Sequence, residues 1–522
     1  MTSARTRWFG LVFISIAVAL IIVDSTIVNV SIPSIVNDLH ITSTQVQWVQ
    51  ESYTLVFASL LLVFGTFGDR YGRRRILIIG VTIFAIASVF AAFAPTGDLL
   101  IASRLVQGVG GAMILPSSLS IINATFRGKD RAIAFAVWGS TIGGMAAVGP
   151  LLGGWLTTYF SWRWAFGINV PLGIIIIIGV LVFAIESREQ GEPRRVDAVG
   201  AILSVVLFSS LVFGLIEGRT FGWWLSNKPP GFWTLDISPI PFAFAVSVAA
   251  AISFVLWGLR RERLGKSTML AFGLLRIPSF RNGNIAALIV SLGEFGIILS
   301  LPLWLQNVLE YDALQTGLII LALAVGSFMA SGFAGAFGNR VSPVLIVRAG
   351  ILAEIVGVVM IAFGIGPTAT WLNIVPGLFV YGFGVGLATA QLTSVVLKDV
   401  PIDQSGQASG TQSTSRQVGS ALGIAILGTV LFTSLGSGLQ DRLDDRAELP
   451  ASVSSSIVTA VVDSAGTAIP ALDQTSTDVA DDARAAFSDS TRYAAFAAAG
   501  FLALGFLATL RLDGRREEHA EH

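Results

Sequence analysis

The stretch GTFGDRYGRRR, from Gly65 to Arg75, lies between two long apolar runs. Gly65 and Gly68 permit close approach of helices, Asp69 can cap a helix or pair with a basic group, and Gly72 can turn the chain into a cluster of arginines. A plain basic loop would explain the arginines. It would not explain the spacing G-x-x-G-D-R-x-G-R, which indicates a defined connection between two membrane helices.

The composition is that of a membrane protein. The 522 residues are 53% hydrophobic and 13% charged, whereas a soluble chain carries about 25% charged residues. Many apolar runs approach the ~20 residues that a helix needs to cross about 30 Å of hydrocarbon. The first run follows Arg5 and Arg7 and has no convincing cleavage site before Pro33, so we expect it to be a retained span.

The apolar runs predict an all-α polytopic protein with fourteen spans, at 8–30, 46–67, 77–95, 99–122, 133–156, 164–185, 198–217, 241–259, 284–308, 315–337, 345–366, 371–396, 412–433 and 491–510. They form two six-helix bundles with an additional pair between them. We expect an N-terminal bundle in 1–188, a linker with two extra helices and an external loop in 189–262, and a C-terminal bundle in 263–522.

Basic residues indicate the orientation. With a cytoplasmic N-terminus, the cytoplasmic segments carry most of the 33 lysines and arginines, in agreement with the positive-inside rule. The basic tail RLDGRREEH, which begins at Arg511, lies on the same side if the number of spans is even, as fourteen is. We therefore expect both termini in the cytoplasm.

Two external segments are long. Segment 219–241, rich in Trp, Pro and Gly, fits either an ordered flap or an aromatic belt around a flexible loop. Segment 434–490 is rich in Ser, Asp and Ala, and its weak pattern predicts a solvated excursion of partial helicity.

Several motifs share one resemblance. The loop Gly65–Arg75 resembles the signature of the major facilitator superfamily, which are secondary transporters of twelve to fourteen helices. LLIASRLVQGVGGA, Leu99–Ala112, matches that superfamily's R-x-x-Q-G pattern. GGMAAVGPLLGG, Gly143–Gly154, resembles the Gly-Pro motif of its proton-driven exporters. WRWAFGINVP, Trp162–Pro171, and DSTIVNVSIP, Asp24–Pro33, are similar to the fourteen-helix drug:H+ antiporters, the EmrB/QacA-like branch.

The second half repeats these features faintly, as in a fold built from repeats. GAFGNRVSP, Gly335–Pro343, occupies the equivalent loop, but Asn339 replaces the aspartate of the motif and the arginine cluster is missing. SLPLWLQNVLEYDALQTG, Ser300–Gly317, and TSRQVGSALGIA, Thr414–Ala425, also resemble later helices of the family.

The resemblance implies a set of residues that control conformational change. In the fifth span Gly149 and Pro150 should bend the helix, and the neighbouring glycines, including Gly143 and Gly144, suggest a tight, sliding helix contact. The set comprises Gly65, Gly68, Asp69, Arg70, Gly72, Arg73, Gln107, Gly108, Gly149, Pro150, Gly153, Gly154 and Arg416.

Charged residues inside spans are costly and mark functional sites. Asp24, Arg104, Glu294 and Glu354 are the candidates for proton coupling. Burial favours the neutral form of a carboxylate and a nearby arginine favours the ionised form, so Asp24 beside Arg104 could exchange a proton. Each also has a structural alternative: Asp24 could cap a helix break or bond Ser25, Thr26 or Asn29 locally, and Glu354 could pair with Arg348.

Three further charges lie near span ends. For Glu51 and Glu217, close to external ends, the favoured interpretation is a solvated side chain. Arg416, near a cytoplasmic end, fits snorkelling or gating equally well.

Aromatic residues can stack on flat or cationic compounds. The residues predicted to line a central cavity are Asp24, Trp48, Tyr53, Trp138, Glu294, Phe295, Trp304 and Tyr381. Any single aromatic among them has the alternative of packing within the protein or facing lipid.

Other classes of function are excluded by what the sequence lacks. It has no cysteine, its three histidines, His40, His519 and His522, fall in a predicted loop and the tail, and it has no phosphate-binding G-x-x-x-x-G-K-[ST] motif. We expect no enzyme activity, no metal or cofactor, no ATP and no nucleic-acid partner. The resemblance implies a monomeric, proton-coupled multidrug antiporter in the bacterial cytoplasmic membrane that exports hydrophobic, often cationic compounds. The alternatives are a proton-coupled exporter of an endogenous metabolite or lipid and, less favoured, a proton-coupled importer.

Overall fold

The computed structural model is predominantly helical in its described residues. It describes residues 4–512 except 127, 187–196, 227–232, 234, 267, 269, 271, 338–340, 401–404 and 447–448. The tail with His519 and His522, most of the predicted linker start, and part of the second-half loop Gly335–Pro343 therefore lie outside the described residues.

The first block consists of seven helices. They are α1 (Ala4–Leu39), α2 (Ser43–Tyr71), α3 (Arg73–Ala92), α4 (Gly97–Thr125), α5 (Gly128–Tyr159), the single turn α6 (Trp164–Gly167) and α7 (Asn169–Phe183). Local chemistry sets their ends. A reciprocal capping box between Thr42 and Gln45 begins α2, and Gly72, with φ of 110°, turns the chain from α2 into α3.

The remaining helices follow in the order that the sequence predicts. They are α8 (Ala198–Phe221), α9 (Pro239–Arg263), α10 (Pro278–Asn307), α11 (Ala313–Phe337), α12 (Pro343–Gly364), α13 (Trp371–Leu397), α14 (Ser405–Asp444), α15 (Ala451–Asp463), α16 (Ile469–Asp473) and α17 (Thr477–Thr509). A 3-10 turn, Phe272–Arg276, precedes α10. Each predicted span coincides with a helix, or with the pair α6 and α7.

Many of these helices fit a bilayer. Within the described residues, twelve helical segments are long and apolar enough to cross a membrane. Helices α2 and α5 fall outside that set but are 29 and 32 residues long. The chain is therefore a multi-pass membrane protein.

The helices pack as two blocks. In the first, α4 packs on α2 and α3, and α1 packs on α5 and α7; in the second, α13 packs on α11 and α12, and α10 packs on α14 and α17. The pair α8 and α9 attaches through α8 to α2 and α14. The blocks meet mainly where α5 contacts α11 and where α2 contacts α14.

Close contacts between the blocks lie at one end of the molecule, where α1 ends and α2 begins, which we call the closed end. The Gln306 side-chain amide donates to the carbonyl of Val30 at 2.9 Å. The backbone N–H of Leu314 donates to the Thr158 hydroxyl at 3.1 Å. These bonds fasten the end of α10 to α1 and the start of α11 to α5.

Segment 434–490 contains more helix than its sequence pattern predicts. Within it lie the end of α14, all of α15 and α16, and the start of α17. Arg446 donates to Asp482 at 2.5 Å, and this hydrogen bond raises the pKa of the Arg446 guanidinium. Val461 and Ile469 are fully buried. The segment forms a packed helical cap because its scattered apolar residues find partners on α14 and α17, which a local pattern does not reveal.

The described parts of segment 219–241 form a short hairpin. Leu225 and Ile237 make an antiparallel bridge, and the Trp233 indole donates to the carbonyl of Ile237 at 2.8 Å. These contacts favour the ordered flap over the flexible loop.

Candidate transport site

Asp24 lies at the centre of a buried polar network in the first block. Its carboxylate is fully buried and forms an ion pair with Arg104 of α4. It also accepts hydrogen bonds from the amides of Asn169, at 2.7 Å, and Gln107, at 3.2 Å. Three donors from α4 and α7 therefore converge on the carboxylate of α1.

Asp24 does not make the local contacts that were its structural alternative. Helix α1 runs unbroken through it. The hydroxyls of Ser25 and Thr26 both donate to the carbonyl of Ile22, and the Asn29 side chain accepts from Gln50 at 2.6 Å.

Arg104 makes further contacts besides its ion pair with Asp24. Its Nε donates to the carbonyl of Val49 at 3.1 Å, and its Nη1 donates to Gln107 at 3.0 Å. Its guanidinium carbon lies 4.5 Å from the centre of the Tyr53 ring, within the range of a cation–π contact. This geometry explains how a cation is tolerated at a depth where an isolated one is costly.

Ser88 and Asn169 complete the network, and sequence reasoning did not select them as site residues. The Ser88 hydroxyl accepts from Gln107 at 2.8 Å and from Asn169 at 3.2 Å. Asn169 belongs to the motif Trp162–Pro171. Its polar amide inside that motif could have identified it as a site residue. Ser88 had no comparable signal, because serine is common in membrane helices.

A second pair occupies the other block. Glu294 of α10 is almost fully buried, and its carboxylate lies 3.7 Å from the guanidinium of Arg416 on α14. The Tyr381 hydroxyl donates to the backbone carbonyl of Glu294 at 2.9 Å. Arg416 was predicted to snorkel or to gate; here it faces a membrane carboxylate that has no basic neighbour in sequence.

Glu354 of α12 is fully buried, and neither carboxylate oxygen has a hydrogen-bond partner among the described residues. It lies within electrostatic range of Glu294 and Arg416. The suggested pairing with Arg348 is not observed, because Arg348 donates instead to carbonyls at the end of α17 and just beyond it. The geometry therefore groups Glu354 with the second pair.

Glu51 was predicted to be solvated, and that prediction is wrong. Its side chain is fully buried, with both oxygens unpartnered among the described residues. Position near a helix end suggested water, but the closed end covers this part of α2. Glu217 is partly buried and accepts a hydrogen bond from the Trp48 indole at 2.8 Å.

The predicted cavity aromatics lie in separate places in this conformation. Tyr53 stacks on Phe57 within the first block, and Trp138 donates to Ser118 at 3.1 Å. Trp304 is fully buried and donates to Ser488 of α17 at 3.1 Å. The side chain of Phe295 lies outside the described residues, and the cavity-lining role of the set stays a prediction.

One cavity of about 840 Å³ lies elsewhere, between α11 and α13. Its lining is mostly apolar and includes Leu318, Trp371 and Phe379, with Gln315 among the few polar residues. It contains none of the predicted cavity residues, and Leu318 and Trp371 are exposed side chains. We therefore assign it to the outer surface of the second block and not to a central site.

The conformational motifs are partly described. The side chains of Asp69 and Arg70 lie outside the described part of the structure, whereas Gly65 lies within α2 and Gly143 and Gly144 lie within α5. Arg73 donates to the carbonyl of Ser120 on α4 at 3.3 Å. A Cβ at Gly108 would lie 2.7 Å from the carbonyl oxygen of Tyr53.

The glycines of α5 make two different contacts. Gly149 and Gly153 pack on α1, where a Cβ at Gly153 would lie 2.7 Å from the carbonyl oxygen of Ile27. Gly154 packs across the closed end on α11. Pro150 presents its carbonyl to Gly317 of the second block.

Known proteins resemble this chain over most of its length. It is 33% identical over 419 residues to a probable actinorhodin transporter of Streptomyces coelicolor, covering 77% of this chain and 69% of that one. It is 32% identical over 410 residues to the multidrug efflux pump LfrA of Mycolicibacterium smegmatis, covering 78% of each. A puromycin resistance protein of Streptomyces alboniger is 31% identical over 385 residues, covering 73% of each chain.

Solved structures share the fold. A bacterial homologue of the human lysosomal transporter Spinster, in an inward-facing and occupied conformation, superposes with a TM-score of 0.64 at 16% identity and covers 98% of this chain and 97% of its own. The profile of the Major Facilitator Superfamily matches residues 14–424. The chain therefore belongs to the major facilitator superfamily of membrane transporters.

Proposed function

We propose that this protein is a proton-coupled antiporter that exports hydrophobic, often cationic drugs by alternating access. The observation that carries the proposal is a buried carboxylate–arginine pair in each block, Asp24 with Arg104 and Glu294 with Arg416. Relatives named as a multidrug efflux pump and as a resistance protein support drug export.

The first pair supplies a way to couple a proton to a change of shape. In its ionised form Asp24 holds Arg104, Gln107 and Asn169 together. A proton on the carboxylate removes its charge and so weakens its hold on the three donors. The helices α1, α4 and α7 are then free to repack.

The second pair is placed to compete with a cation. Glu294 and Glu354 share the single nearby guanidinium of Arg416 among the described residues, so one of the two carboxylates remains unmatched when both are ionised. A cationic substrate would satisfy that charge. Protonation would remove the attraction, which makes binding of proton and substrate mutually exclusive.

The fourteen-span EmrB/QacA-like architecture is also part of this proposal. At 1.5 Å per residue, helices as long as α2 and α5 exceed the length needed to cross a bilayer. Together with the twelve apolar segments they would make fourteen spans, an even number that keeps both termini in the cytoplasm of a bacterial cell. The closed end would then face outward.

A narrower substrate is the second candidate. One relative is named as a probable actinorhodin transporter. A proton-coupled exporter of an endogenous metabolite would keep both carboxylate–arginine pairs and would differ in its cavity lining.

The test is ethidium efflux from cells under an imposed pH gradient. We would compare the native protein with Asp24→Asn and Glu294→Gln at equal expression, with Asp463→Asn in the helical cap as the matched control. The proposal expects efflux that collapses with the gradient and in either membrane variant but not in the control. Unchanged efflux in both membrane variants would show that the two carboxylates are structural. Absence of efflux from the native protein would favour the narrower substrate.

A further inference from the structure

Two faces of helix α2 contact different parts of the protein. Val49 and Tyr53 face the Asp24–Arg104 network, since the carbonyl of Val49 accepts from Arg104 and the Tyr53 ring lies against its guanidinium. The opposite face meets α8 and α14. There Gln47 lies against Gly428, and Leu55 packs in one cluster with Ala425.

Glu51 lies on this second face. It is four residues after Gln47 and four before Leu55, the spacing that places side chains in one row along a helix. Because α2 belongs to the first block and α14 to the second, this row lies in the contact between the two blocks. Glu51 is therefore an interface residue and not only a buried one.

The interface leaves its polar groups without partners. Among the described residues, neither oxygen of Glu51 and neither polar atom of the Gln47 amide makes a hydrogen bond, and both residues are fully buried. An unpaired ionised carboxylate in such a place costs much more free energy than the neutral acid does. The closed interface is thus compatible with a protonated Glu51.

The charged groups on neighbouring helices are engaged elsewhere. Asp24 of α1 and Arg104 of α4 bond each other on the opposite face of α2. Glu217 of α8 accepts from the Trp48 indole, and Arg416 of α14 pairs with a carboxylate of α10.

The remaining charges on the elements that pack on α2 lie towards helix ends. In the described residues these are Arg5, Arg7 and Asp38 of α1, Arg73, Arg74 and Arg75 of α3, Asp98 of α4, Asp441, Arg442 and Asp444 of α14, and Asp463 of α15; helix α8 also carries Arg219, whose side chain lies outside the described residues. None of them has a described hydrogen bond or ion pair with Glu51, so the carboxylate depends on a proton for its neutrality.

We propose that Glu51 is a proton-binding site built into the α2–α14 contact, and that its protonation is required for the two blocks to close there. The inference rests on alternating access by the proposed transporter, but it adds a proton site separate from Asp24 and Glu294. When Glu51 ionises, the buried interface has no partner for the charge. Water must then enter, and α2 and α14 separate.

The separation of α2 from α14 should depend on pH. The closed form holds the proton and the separated form releases it, so raising the pH favours separation. For one fully linked proton, the ratio of separated to closed forms rises by up to about tenfold per pH unit.

The natural chain contains no cysteine, so a single introduced thiol can report this opening. In Ala425→Cys the thiol would lie in the α2–α14 contact, since Ala425 is fully buried there. In Ser437→Cys the thiol would lie on an exposed turn of the same helix. The measurement is the maleimide labelling rate of the first in purified full-length protein, divided by that of the second at each pH. The division removes the effect of pH that the two thiols share, and comparison with Glu51→Gln removes the effect of burial on the first thiol.

We expect this ratio to rise with pH when Glu51 is present and to stay low and flat in Glu51→Gln, which mimics the protonated acid. Glu217→Gln, the same change on the adjacent helix, should retain the rise. A flat ratio with Glu51 present would overturn the proposal. So would a rise that survives in Glu51→Gln, or one lost equally in Glu217→Gln.

If Glu51→Gln does not fold, Glu51→Asp decides the question. Aspartate keeps a titratable group at a different depth, so the midpoint of the rise should move; an unmoved midpoint would contradict the proposal. The assay needs neither substrate nor gradient. The efflux test of Asp24 and Glu294 and this labelling assay can therefore fail independently. A failed efflux test counts against the proposed function, and a missing pH response counts against the role of Glu51.

Discussion

At the scale of single residues, buried charge in this protein is neutralised in two ways. Asp24 is surrounded by three donors, whereas Glu51 and Glu354 have none among the described residues. The two kinds of carboxylate therefore differ in how much polar contact the protein gives them.

Asn169→Ala should destabilise the first block. The change removes one donor from Asp24 and leaves Ser88 with one partner fewer, and an unmatched buried polar group costs about 1–3 kcal/mol. Thermal unfolding in detergent measures the effect, with the exposed Ser437→Ala as the control. Equal melting temperatures for the two variants would mean that Asn169 contributes nothing to the network.

Glu294 and Arg416 should be energetically coupled. A double-mutant cycle with Glu294→Gln and Arg416→Gln should give a coupling free energy of about 0.5–3 kcal/mol, because each single change leaves the buried Glu294 or the partly buried Arg416 without its partner. The cycle is measured by thermal unfolding. Strictly additive effects would show that the 3.7 Å approach carries no interaction.

The sequence identified the costly residues but not their partners. Asp24, Arg104, Glu294 and Glu354 stand out because charge is rare in apolar runs. The partnership of Glu294 with Arg416 joins α10 to α14, more than a hundred residues apart in the chain, so no local spacing reveals it. Glu51 shows the opposite failure: its position suggested water, and a helix from the other block excludes water.

At the scale of elements, the contact between α5 and α11 depends on glycine. A Cβ at Gly154 would lie 2.8 Å from the Cα of Leu314, and one at Gly317 would lie 2.5 Å from the carbonyl oxygen of Pro150. Both obstacles are backbone and cannot move aside. The two helices can approach this closely only because both positions lack a side chain.

Gly154→Ala should therefore separate the helices at the closed end. Overpacking costs about 1–3 kcal/mol, and we expect both a lower melting temperature and reduced efflux. Gly438→Ala is the matched control, since a Cβ there meets nothing within 4 Å and the change favours the helix by about 0.5–1 kcal/mol. If both variants melted and transported alike, the closed end would not depend on this contact.

The helical cap should depend on Arg484. Its guanidinium lies 2.7 Å from Glu310, 2.9 Å from Asp473 and 3.1 Å from Asp481, so it ties α16 and α17 to the connection that follows α10. We expect Arg484→Gln to speed limited proteolysis between α15 and α17 severalfold. Arg75→Gln, on the exposed arginine cluster, is the control. Unchanged cleavage would show that apolar packing alone holds the cap.

At the scale of the whole molecule, the order of helices follows from the apolar runs, and their arrangement in space does not. Hydropathy identifies spans because backbone groups in lipid must be satisfied within a helix. Which helices meet across the two blocks is set by glycine positions and by single polar contacts such as that of Gln306 with Val30. The sequence therefore predicted the order of the helices but not the contacts at the closed end.

For the whole molecule, we propose that drug export is coupled to protons through carboxylates in the membrane. The direct test of this coupling uses purified protein in liposomes that contain a pH-sensitive dye. When ethidium is driven across the bilayer by its own gradient, the account predicts proton movement in the opposite direction, abolished in Asp24→Asn. Ethidium transport by the native protein without any proton movement would contradict the account.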